Sequence, residues 1–136
     1  MQAWQMHELG DPWDELRLGE VEPPEPGRGM VRVTVEAADL NFADILQCQG
    51  SYQVKVPTPF TPGMSCGGTI NAIGDGVDLE VGTRVLGMAA PGSGGFGEQA
   101  ILAAANVTIV PDGVETATAV AMHVTYGTSW FALHRR

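Results

Sequence analysis

Val31, Val33 and Val35 alternate with Arg32, Thr34 and Glu36, the two-residue period of a strand that buries one face. Shorter runs of the same character at residues 3–7, 16–20, 69–73, 84–88, 98–102 and 107–110 read as further strands separated by turn-forming residues. Around Phe42, Ile45 and Leu46 the spacing becomes helical, which predicts a short helix over residues 41–49 with Asp39 as its cap. Two more helices are predicted at residues 115–122 and 125–134, and Arg135 and Arg136 suit the carboxyl end of the second. Glu22-Pro-Pro-Glu-Pro-Gly27 cannot supply a ladder of amide donors and reads as a loop, as do residues 10–14 and the turn-rich 74–82. The pattern is mainly β, a β-rich α+β chain with short peripheral helices.

Eighteen glycines and nine prolines in 136 residues reinforce that reading, because a small barrel needs many tight turns. The length fits one domain with a real core. A formal charge of −9, dispersed rather than blocked, repels a phosphate backbone and argues against nucleic acid as a partner. Apolar runs fall short of the roughly 18 residues a membrane span needs, and the opening residues lack a basic segment followed by an apolar one. The expectation is a cytoplasmic protein without a membrane partner.

Candidate chemistry begins with several weak signals. Cys48 and Cys66 lack paired spacing and are expected as reduced, buried thiols. Trp4, Trp13 and Trp130 are expected in the core or at an interface. His7, His123 and His134 are scattered, so no metal-ligand spacing is visible. Gly92-Ser-Gly-Gly-Phe-Gly97 matches G-x-G-x-x-G, yet a dinucleotide loop needs a helix behind it and an acid about 20 positions on. Asp112 meets the count only inside a Pro-Asp-Gly turn, so the segment reads as a glycine-rich loop feeding a strand.

The positive signal is Asn41-Phe42-Ala43-Asp44, then Tyr52, then Pro62-Gly63-Met64. An amide, a carboxylate and a phenol supply donors and acceptors that can orient a carbonyl and a nicotinamide ring without metal, although the same residues also serve as helix caps and packing. This stretch resembles the active-site region of medium-chain dehydrogenase/reductases, in particular the zinc-free quinone oxidoreductase branch. The resemblance runs from the opening strand to Val124-Thr-Tyr-Gly-Thr-Ser-Trp130.

That resemblance implies a GroES-like, partly open β-barrel over residues 1–122, with residues 123–136 forming a helix that leads into a Rossmann domain absent from this chain. It implies hydride transfer from NADPH to the β-carbon of a quinone or enone. Asn41, Asp44 and Tyr52 take the catalytic positions, Asn41 and Thr125 approach the cofactor, and Phe42 and Met64 line the substrate cleft. Zinc is not expected: the zinc enzymes carry cysteine at the position of Asn41 and His-Glu at Met64-Ser65, and their cysteine-rich lobe is missing. Relatives also commonly carry an acid where this chain has Ser65. NADPH is expected for the complete enzyme and not as a tight ligand of this chain alone, which is expected to be inactive in isolation. The second domain's absence should expose Val124, Trp130, Phe131 and Leu133, favouring a homo-oligomer or a partner chain over the C-terminal helix. The alternatives are an assembly module on the same barrel and a non-redox catalyst using the retained cleft.

Overall fold

The computed structural model describes residues 1–135. β1 (Gln2–Met6) and β2 (Leu16–Glu20) form an antiparallel pair, joined through a one-turn helix α1 (Pro12–Glu15). Then follow β3 (Met30–Ala38), α2 (Phe42–Cys48), β4 (Ser65–Ile73), β5 (Arg84–Met88), β6 (Gln99–Ala103), β7 (Thr108–Ile109), α3 (Thr116–His123) and α4 (Thr125–His134). The larger sheet has the order β6-β3-β4-β5-β7, with every pair antiparallel. It curls until Ala89, just past β5, bridges Leu102 of β6, but the sheets are not closed into a barrel.

The alternation in β3 holds where it matters most: Val31 and Val33 are fully buried, and Arg32 turns outward to Asn71 Oδ1 and Glu25. They pack with Cys66, Ile70, Val85, Ala100 and Leu102 as the main core. A second cluster, Met6, Cys48 and Phe60, sits behind α2, and a third, Leu86, Val110 and Val120, joins α3 to the sheet. Each fully buried aliphatic side chain here is worth about 2 kcal/mol.

Several expectations need correction. β4 begins at Ser65 rather than Thr69, because Gly67 and Gly68 are strand residues that permit close approach. A Cβ on Gly68 would stand 1.9 Å from the Thr34 carbonyl oxygen. β7 covers only Thr108–Ile109. The residue capping α2 is Asn41 and not Asp39. Residues 10–14 are not all loop, since Asp11 accepts from the Trp13 N–H and starts α1. Of the two places expected for the tryptophans, the core is excluded: all three are exposed, Trp13 at 92%. Arg135 follows α4 as expected, its N–H donating to Phe131 O; Arg136 lies outside the described residues.

Candidate active site

α2 starts where β3 ends, so the end of the sheet presents Asn41, Phe42 and Asp44 on one short helical turn. Asp44 is 2% exposed and both its oxygens are occupied. Oδ2 accepts from the Asn41 N–H and Oδ1 from the Met64 N–H, each at 2.8 Å. A carboxylate so placed pins the helix start to the Pro62–Met64 turn through two charge-assisted bonds. Three of the residues singled out by sequence, Asn41, Asp44 and Met64, are thus brought together. Phe42 stands beside them, 72% exposed.

Tyr52 and Thr125 are not joined to this cluster by any hydrogen bond among the described residues. Tyr52 is half-buried, and its N–H donates to Leu46 O, folding the following segment back on α2. Thr125 is exposed at the first position of α4, where its carbonyl accepts from Ser129 Oγ.

Gly63 and Gly92–Gly97 explain why the turn and the glycine-rich loop can touch. A Cβ on Gly94 would lie 2.2 Å from Pro62 O, and one on Gly95 would lie 2.5 Å from Cys66 Cβ. The loop then leads into β6, as a glycine-rich loop feeding a strand. Its glycines serve contact with the site turn rather than a phosphate.

Between these segments is a pocket of about 60 Å³ lined by Gln47, Thr61, Met64, Ala90 and Gly92, among others. Sequence reading missed Gln47, although it lies one helical turn after Asp44 and is likewise buried. A larger apolar groove of about 520 Å³ was also missed. Trp4, Leu16, Leu18, Leu40 and Phe96 line it, with Glu98 at its side. The alternation of Leu16 and Leu18 in β2 was its only local signal.

The buried thiols are poor nucleophiles. Burial, then the Asp44 charge, pushes Cys48 up to about 11; burial, then Asp39, pushes Cys66 up to about 12. Both are free. The two Asp39 carboxylate oxygens and the Ser65 and Ser93 hydroxyls are buried without hydrogen-bond partners among the described residues. Among those residues, no three of His, Cys, Asp and Glu converge to hold a metal ion. No described helix is long and apolar enough to cross a membrane.

Residues 27–112 match the alcohol dehydrogenase GroES-like domain. Quinone oxidoreductase-like protein 2 of Bos taurus is 41% identical over 122 residues, 89% of this chain and 34% of that protein. The synaptic vesicle membrane protein VAT-1 homolog of Rattus norvegicus is 38% identical over 112 residues, 82% of this chain and 27% of that protein. Among solved structures, the Thermus thermophilus quinone oxidoreductase, determined also with NADPH, superposes with a TM-score of 0.80 at 32% identity, over 99% of this chain and 41% of that one. The chain spans about a third of the length of the curated relatives it matches. It belongs to the alcohol dehydrogenase GroES-like domain family, among its quinone oxidoreductase-like members.

Proposed function

We propose that this chain is the catalytic-domain portion of an NADPH-dependent, zinc-independent reductase of quinones or enones. The observation that carries the reading is the Asn41–Asp44–Met64 cluster, in which a sealed carboxylate fixes the helix start and the opposing turn at one mouth. Its support is the likeness to quinone oxidoreductases solved with NADPH.

The residues present fit one wall of a cofactor site and not a complete seat. A pocket of about 60 Å³ has room for a water or two, far below the several hundred Å³ of a typical ligand site. The glycines that could have cradled a pyrophosphate are in contact with Pro62 and Cys66. NADPH, when bound to a complete enzyme, supplies the hydride. This chain's residues would do the rest at the substrate end: the Asn41 amide and the Tyr52 phenol orient and polarise the carbonyl oxygen, and Asp44 acts by fixing Asn41. Phe42 and Met64 would offer apolar walls to a flat quinone or enone, and the Asn41 amide and the Thr125 hydroxyl would be the groups available to the nicotinamide. Alone, the chain holds NADPH weakly and does not turn over.

An assembly role is the second reading, favoured by α4. None of its residues is buried, and Tyr126, Trp130, Phe131 and Leu133 are each more than half exposed. A homo-oligomer or a partner chain covering that face follows from the same exposure.

The test is calorimetric titration with NADPH, together with quinone and enone turnover, on the chain alone and on a chimera carrying the remainder of the Thermus thermophilus protein. Weak binding alone, with turnover in the chimera that drops at least about tenfold on Asn41→Ala, supports the reading. A chimera that binds NADPH yet is indifferent to Asn41 and Tyr52 overturns it. Turnover without NADPH would establish non-redox chemistry instead.

A further inference from the structure

β3 and β4 lose register between Val35 and Ala37, which makes Glu36 the extra residue of a β-bulge. Gly68 on the facing strand makes room for it: a Cβ there would also approach the Glu36 amide nitrogen to 3.1 Å. Bulges re-aim side chains, and this one sends the Glu36 carboxylate out of the sheet's own pattern.

Its two oxygens are taken. Oε1 accepts from Thr69 Oγ1 at 2.6 Å, and Oε2 accepts from Thr116 Oγ1 at 2.5 Å. Thr69 belongs to β4, but Thr116 is the first residue of α3, and it is buried. On the other side Arg84, the first residue of β5, donates to the carbonyls of Val114 and Pro111 and so grips the turn that feeds α3. The hydroxyls of Thr116 and Thr69, with the positive charge of Arg84, hold the Glu36 carboxyl below its ordinary value.

Beneath this polar contact lies an apolar one, centred on Val120 with Ala119 beside it. Val120 packs with Leu86 and Val110, and Gly67 leaves it space, since a Cβ there would stand 2.7 Å from Val120 Cγ2. Thr116 and Val120 are the only buried residues of α3, and α4 has none. The apolar contact around Val120 fixes where α3 sits, and the Glu36–Thr116 bond, one turn earlier, holds its first residue.

We propose that Glu36 is a positioning residue, whose bulge-borne carboxylate sets the angle at which α3 leaves the sheet and so where Thr125 is presented. The consequence for Thr125 rests on the reading of Thr125 given above; the latch itself does not.

The experiment uses the chain as it is, without cofactor, so its failure is distinct from failure of the reductase reading. Amide hydrogen exchange and residual dipolar couplings are measured on the wild type, Glu36→Ala, Thr116→Val and the double variant. Exchange in α3 should accelerate about tenfold relative to amides of β3 and β4 in either single variant, with no further gain in the double. The couplings should report α3 and α4 rotated against an unchanged sheet. Exchange that rises uniformly across the sheet and α3 would mean that Glu36 contributes only to overall stability, and unchanged helix couplings would equally overturn the proposal. Rescue of the couplings by Glu36→Gln, which keeps an acceptor oxygen, adds support; a Gln variant as displaced as the Ala variant would overturn a hydrogen-bond latch.

Discussion

α2 and α3 both begin against the sheet with a carboxylate at the first turn, yet the two starts are built for different ends. Asp44 comes from the helix it caps, is sealed from water, and bonds only to backbone N–H groups. Glu36 reaches across from another element, stays exposed on one side, and bonds only to hydroxyls. Backbone donors cannot turn away, and a sealed carboxylate has no water to take their place; the α2 start is therefore one geometry or none. Hydroxyls can rotate, and water competes at Glu36. The same chain holds its Asn41–Met64 wall rigidly and its outgoing helix by an adjustable tether.

The sharpest way to break the contrast is Asp44→Ala, which leaves the part-buried Asn41 and Met64 N–H groups without acceptors. It should lower unfolding free energy by about 4 kcal/mol, read by urea denaturation, and a loss under about 1 kcal/mol would place the two starts in the same class. Gly94→Ala tests the same wall from the loop side. The new methyl must displace the backbone carbonyls of Pro62 and Gly63, so a loss of about 3 kcal/mol is expected, with shifted amide resonances at Gly63 and Met64.

Acid should loosen the tether. The folded-state pKa of Glu36 lies below its ordinary 4.5, so the stabilisation is present above that value and is lost as pH falls through the lower, folded one. The unfolding midpoint should fall on acidification in that range, and Glu36→Ala should flatten the dependence. The effect is small because the group is exposed; an unchanged slope in the variant would assign the acid sensitivity to other carboxylates. Smallest in stability terms is Phe131→Lys on α4, expected within about 0.5 kcal/mol of wild type. Its signature is elsewhere: sedimentation should show self-association weakened, and an unchanged mass distribution would remove α4 from the interface.

Much of the fold was legible because its signals are local. Val31 and Val33 announce a buried strand face by alternation, and the Asn41–Asp44 segment announces a helix start by residue type. The site's central fact was half legible: Asp44 was chosen, but its acceptance of the Met64 N–H spans 20 residues and depends on where β4 begins. Capping was assigned to Asp39 because Asp and Asn are near-equal caps, and only backbone geometry separates them. The Glu36 bulge left no trace, since a bulge is a mismatch between two strands and alternation within one cannot report it. Whether the tryptophans sit in the core or on an outer face was likewise not legible: burial is a property of what lies opposite.

The aromatic face of α4 has a colloidal consequence. The described residues carry a stripe of exposed Tyr126, Trp130 and Phe131 on a chain of formal charge −9. Like-charge repulsion between copies extends about 8 Å at physiological ionic strength, farther than an aromatic contact, and shrinks to about 3 Å in molar salt. If α4 is the interface proposed above, association of this chain is a matter of ionic strength as much as of fold, and salt favours it.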